Sequence, residues 1–390
     1  MFLNIYSINL LPKENYYLIF SMTYHIHLLL HLCFVSFFIH FQACETPNKQ
    51  QTSVSSTPLD FVEITPNTSD TLQKKPTKMN GVSFVSPSAP FPEHFLAPIQ
   101  TKVSANWMAV SPFGFSYANQ PEVRFGTQQH WWGERPEGAA KIIEYAHNHD
   151  LKVMLKPQVW MRKGWVGGFE MTNEQDWQTW QQTYEDYILT FAKIADTMDV
   201  ALFCIGTEYR IAAVERADFW RQLIQKVRKI YDGPITYAAN WDNYENIPFW
   251  QELDYIGIDC YMPLVEPLNP SINALKKAWK PKATKIKSFA QQQKRPIIFT
   301  EYGYMSVAET AWQNWENEKD RSRLTISMTA QENAFEALYQ TFWDQEWFAG
   351  GFIWKWYHDQ EHAGGINNKD YTPQNKPVET TIKKWYSKYQ

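Results

Sequence analysis

Two glutamates stand where carboxylate chemistry could be done. "FCIGTEYR" carries an apolar run into Glu208, and "IIFTEYGY" carries another into Glu301. A carboxylate is seldom buried without a partner, so an apolar strand that runs into one points to a site at the strand's end, where Glu301 would escape burial at an open mouth. Two carboxyl groups facing each other across a cleft have what cleavage of a glycosidic bond requires. One must be protonated to donate to the leaving oxygen; the other must be ionised to attack the anomeric carbon. Proximity separates the two roles, because like charges raise one pKa. The plainer reading of either glutamate is a helix cap, or an ion pair with a neighbour such as Arg210. That reading weakens for the two together.

The elements that must position them follow a regular plan from Met79 onward. Apolar runs at 81–86, 106–112, 152–159, 201–208, 235–241, 255–262, 296–303 and 351–357 read as strands. Amphipathic stretches at 136–149, 174–197, 215–231, 271–292 and 330–346 read as helices. Runs that are continuously apolar, and separated by helices, indicate parallel strands covered on their outer face. Eight of them predict an α/β fold, a (β/α)8 TIM barrel forming a single catalytic domain, with the site at the C-terminal strand ends. Glu208 then ends the fourth strand and Glu301 the seventh. An open doubly wound sheet is the alternative, but no glycine-rich phosphate fingerprint follows the first strand.

Other residues fall beside these ends. Tyr261, after the sixth strand, is placed to donate to Glu301 and keep it ionised. Lys156 sits in an apolar strand, where a lysine is costly unless paired or facing a site, and it is expected to contact substrate. Asn240 and Trp241 end the fifth strand, and Trp160 follows Lys156 and Gln158. Trp354 and Trp356 share a parity and hence a face. Trp131 and Trp132, after the second strand, and Trp165, after the third, could line further subsites; Trp312 and Trp315 could form a rim or lid. The chain holds 18 Trp, more than a core alone requires, since each indole N–H needs a partner.

The segments "IGTEYR", "YIGIDCYMPL", "IIFTEYGY" and "KVMLKPQVW" resemble glycoside hydrolase family 113, whose known members are mainly β-1,4-mannanases. The resemblance runs from Met79 almost to the end. It belongs within the clan of retaining barrel hydrolases with catalytic glutamates on strands four and seven. It implies Glu208 as general acid/base, Glu301 as nucleophile, and cleavage of β-1,4-mannosidic linkages by double displacement. It also implies that a tryptophan on the eighth strand is the platform under the reacting sugar. Many clan members have Asn before the acid/base, a residue that usually contacts the sugar 2-OH; here Thr207 stands there. Another β-glycan, glucan or xylan, and a non-catalytic glycan-binding surface protein are the alternatives.

Residues 1–44 read as an export segment: "IHLLLHLCFVSFFIHFQA" ends at Cys44 in a junction similar to a bacterial lipobox, which would make Cys44 the lipidated residue. Residues 45–78, rich in Thr, Ser and Pro, read as a flexible linker, and 79–390 as the hydrolase domain. The expectation is an exported, membrane-anchored, monomeric lipoprotein that meets the membrane only through its lipid. A net charge of −4 offers no electrostatic case for nucleic acid. Cys204 and Cys260 read as small buried hydrophobes, and no metal or cofactor is expected, since Cys and His spacings match no metal site. A β-linked oligo- or polysaccharide is the expected partner.

Overall fold

The computed structural model describes residues 77–390. The export segment, Cys44 and nearly all of the linker lie outside them.

Eight parallel strands close into a barrel. In chain order they are β1 (Met79–Phe84), β2 (Trp107–Val110), β5 (Lys152–Leu155), β7 (Leu202–Thr207), β8 (Ile235–Asn240), β9 (Ile256–Asp259), β10 (Ile297–Tyr302) and β11 (Phe348–Trp356). Each pairs with its neighbours in the order β1-β11-β10-β9-β8-β7-β5-β2, and the predicted barrel is found. Its interior below the mouth is plugged by Trp107, Met154, Ile298 and Phe352, all buried. Charged side chains inside the barrel therefore gather at the C-terminal end of the strands.

The helical ring consists of α1 (Ala97–Val103), α2 (Pro136–Asn148), α3 (Glu174–Thr197), α4 (Arg210–Glu215), α5 (Ala217–Arg228), α6 (Ile272–Gln293), α7 (Asn314–Asn317), α8 (Met328–Phe342) and α9 (Val378–Lys388). α3 shows how the sequence builds it. The Asn173 side chain accepts from Asp176 N at 2.9 Å, capping the helix. Trp177, Trp180, Tyr184, Tyr187, Ile188 and Phe191, three and four apart, then form the buried stripe. The predicted helix at 215–231 is found as α5, and a short helix not expected from the sequence, α4, precedes it; the two meet at Arg216, whose backbone φ and ψ are −114° and 37°.

The predicted strand at 152–159 is two strands. Pro157 cannot donate to a ladder, so β5 stops at Leu155 and β6 (Gln158–Arg162) begins beyond it. β6 pairs with β3 (Phe113–Tyr117), which pairs in turn with β4 (Gln120–Arg124), making a second, three-stranded sheet. The break hides a continuity. β2 pairs with β5 as Val110↔Leu155, and β3 with β6 as Phe113↔Gln158, so one parallel register runs on across Pro112 and Pro157. At about 3.3 Å per residue the β3–β6 ribbon reaches roughly 17 Å past the barrel rim. Tyr187 of α3 holds it: its hydroxyl accepts from Gly114 N at 3.1 Å and donates toward Pro112 O and Gln158 O, each at 2.8 Å.

Candidate active site

Glu301 does not escape burial. It is 7% exposed and lies in β10, one residue before the strand's end. Three donors compensate for the burial. Lys156 Nζ reaches Oε1 at 2.6 Å, Gln158 Nε2 donates to the same oxygen at 2.9 Å, and Tyr261 OH donates to Oε2 at 2.9 Å. Gly303, two residues on, has no room for a side chain: a Cβ there would sit 2.5 Å from Trp354 O, so glycine lets β11 bring Trp354 close to this strand end.

Lys156 corrects the expectation of a substrate contact. It is fully buried, and its ammonium is shared between Glu301 and Asp259, 3.1 Å from Asp259 Oδ1. Burial opposes its charge, but the two carboxylates outweigh burial and hold it protonated well above the usual lysine range. Asp259, 1% exposed at the end of β9, also accepts from Thr300 Oγ1 at 2.7 Å. Burial first, and then Glu301, push the Asp259 carboxyl up to about 7, against the pull of Lys156.

Glu208 is held differently. It follows β7 with a φ of 55°, in the left-handed region that a residue with a Cβ enters at a cost of about 1–2 kcal/mol. Its N–H donates to Ala238 O at 2.8 Å, pinning it to β8. Its carboxyl takes one hydrogen bond, from Trp165 Nε1 to Oε2 at 2.7 Å. Burial first, then Asp259 and Glu301, push it up to about 8. Arg210 pairs instead with Asp242 at 3.0 Å and neutralises neither glutamate.

Both glutamates line one cleft of about 650 Å³, together with Trp165, Asn240, Trp241, Asp242, Tyr261, Trp315, Glu318, Lys319, Trp354 and Tyr371. Trp241 and Trp315 stack at 5.7 Å, with planes 26° apart. Four of the Trp thus line the cleft, while nine are buried.

Trp356 does not join Trp354. The β1–β11 ladder shifts register, pairing Ser83 with Trp354 but Phe84 with Trp356, and Trp356 points into the outer core, fully buried. Parity along a strand fails across such an irregularity. Trp131 and Trp160 lie outside the cleft lining, each about half exposed. Asp259 and Tyr371 emerge only from the structure. Asp259 sits in "YIGIDCYM", and the rule that marks a lysine in an apolar strand as needing a partner marks this aspartate equally.

Replacing Lys156 by methionine leaves two adjacent buried carboxylates without a cation. The K156M variant is expected to lose about 3 kcal/mol or more at pH 8. Thermal melts should show the deficit narrowing toward pH 5, because a proton on Asp259 removes one of the uncompensated charges. Equal melting temperatures at pH 8 would show that the ion cluster contributes nothing to the fold.

A closed barrel whose mouth sets a donor-caged carboxylate and an acid-shifted one in an aromatic cleft has the form of a sugar-cleaving enzyme. The family model of Glycoside Hydrolase Family 113 matches residues 91–376, and the chain belongs to that family. It is accordingly a glycoside hydrolase. Two solved structures of a family 113 β-1,4-mannanase, one of them a complex, are similar at 26% identity and a TM-score of 0.68, covering 80% of this chain and 99% of theirs. The family 113 β-mannanase of Alicyclobacillus acidocaldarius shares the fold at 24% identity and a TM-score of 0.70, covering 80% of this chain and 98% of its own. A β-glucuronidase of Faecalibacterium prausnitzii is similar in fold at 14% identity, with a TM-score of 0.54 over 81% of this chain and 50% of its own. No curated protein shows a significant match in sequence.

Proposed function

We propose that the protein is a retaining β-mannanase-like hydrolase that cleaves β-1,4-mannosidic linkages by double displacement. The unequal treatment of the two glutamates carries the reading. Glu301 is surrounded by three donors, Lys156 foremost, that fix both its oxygens and aim one of them at a charge-assisted partner. It is the nucleophile, attacking the anomeric carbon to form a glycosyl-enzyme. Glu208 has a single donor and surroundings that raise its pKa to about 8. It gives its proton to the leaving oxygen, then takes one from the water that releases the sugar. Trp354, beside Glu301, is the platform for the reacting ring.

Thr207 in place of the clan's Asn leaves the 2-OH contact to another group. Asn240, in the cleft wall one strand over, has a buried Oδ1 without a partner among the described residues. It takes that contact in this reading. The mannanase assignment is supported by family membership and by the solved β-1,4-mannanases at 26% identity. In the same reading the enzyme works outside the cytoplasm, tethered through Cys44.

Hydrolysis of a panel of β-mannans, glucans and xylans tests the substrate: faster turnover of glucan or xylan than of mannan overturns it. Binding without turnover on every glycan would make the protein a binder. Mass spectrometry of the mature N-terminus tests the tether, and an unmodified Cys44 refutes it.

The pH profile follows from the acid. Glu208 must be protonated to start the reaction, so kcat/KM is expected to fall as pH rises through about 8. Asp259→Asn removes a neighbouring negative charge that disfavours ionised Glu208, and should move this limb to lower pH. A limb in the same place for both enzymes would show that Glu208 does not set it.

A further inference from the structure

The face of the β3–β6 ribbon breaks a common rule. A sheet with one face on the core and one in water turns polar residues outward. Here the covered face carries Gly114, Ser116, Val159 and Met161, all buried, while Phe113, Phe115 and Tyr117 stand partly exposed on the other. In the parallel register Phe115 is opposite Trp160, whose ring meets it edge-on at 5.8 Å and is 51% exposed.

This face is continuous with the cleft. Alternate residues of a strand share a side, and Gln158, which donates to Glu301, shares its side with Trp160 and Arg162. Beyond β6 the chain turns back, and Trp165 donates to Glu208. The exposed indole of Trp160 therefore lies on a segment, Gln158 to Trp165, whose two ends both donate to the carboxylates of the site. Trp160 lies about 7 Å along the strand from Gln158, on the scale of one sugar residue.

We propose that the face of the ribbon carrying Trp160 and Phe115 is an extension of the glycan site, binding a neutral, β-linked sugar residue of the chain beyond those held in the cleft. A pyranose ring offers one flat patch of C–H bonds and a rim of hydroxyls. An exposed indole matches the patch, and Arg162 supplies donors at the rim. This inference rests on the hydrolase reading above, and it predicts that efficiency rises with chain length because of this face.

The test is kinetic, on the three- to six-sugar oligosaccharides of whichever β-glycan the wild type cleaves best. Trp160→Ala is expected to lower the ratio of kcat/KM for the six-sugar to the three-sugar substrate about tenfold, mainly through KM, with Trp160→Tyr restoring most of it. An unchanged ratio in Trp160→Ala overturns the proposal. So does gel filtration showing a wild-type dimer that Trp160→Ala dissociates, which would make the face a contact between copies. Preference for a glycan other than mannan would overturn the substrate reading alone, since the ratio is then read on that glycan.

Discussion

Glu301→Ala is expected to lower kcat on the best substrate by on the order of 10⁴-fold or more, with the fold retained. Lys156 keeps Asp259 as a partner in this variant, so no buried cation is orphaned. Tyr261 and Gln158 lose one acceptor each at a cleft open to water. Unfolding temperature should change much less than rate does. The shortened side chain also leaves room on that face of the sugar. Azide supplied in solution can then attack the anomeric carbon from Glu301's side and should give a glycosyl azide of inverted, α configuration. Activity within tenfold of wild type would remove Glu301 from the reaction.

Glu208→Ala has the second largest expected effect, and its size depends on the leaving group. For a polysaccharide, whose departing alkoxide needs a proton, the loss should be about 10²–10⁴-fold. An aryl glycoside with an acidic phenol needs no such help to form the glycosyl-enzyme. Its first step should proceed at nearly the wild-type rate, giving a burst of phenol followed by slow turnover because water lacks a base. Azide requires no base and should accelerate that second step, yielding a β-glycosyl azide. Equal loss on both kinds of substrate would show that Glu208 does not transfer the proton. The two variants together assign roles, since their azide products have opposite configuration.

The strands, the barrel and the positions of both glutamates were legible because each depends on a local pattern. An apolar run ending in a carboxylate can be read without knowing what lies across the barrel. Partnership is not local. Lys156 and Asp259 are separated by 103 positions, and only the closed barrel brings them together. The requirement for a partner was visible in the Lys156 environment, but the sequence does not say whether that partner is substrate or protein. Trp356 illustrates a different limit. Strand parity is a sound rule until the ladder gains a residue, and the shift between Ser83 and Phe84 on the facing strand leaves no mark in composition. The ribbon was obscured by proximity: with one dipeptide between them, β5 and β6 read as a single run through Pro157. The alternation in "FGFSY" is a strand signal, but its large residues face outward, contrary to the usual sense.

That ribbon also bears on which changes of length the protein can accept. Loops at a barrel mouth ordinarily tolerate insertions, and this is how such folds diversify. The segment from Gln158 to Trp165 differs, because it contacts Glu301 at one end and Glu208 at the other. Adding one residue within the strand would reverse the facing of every side chain beyond it and change the span between the two contacts. Drift in length should therefore accumulate elsewhere around the rim. Along this one stretch, the number of residues is as much a part of the active site as their identity.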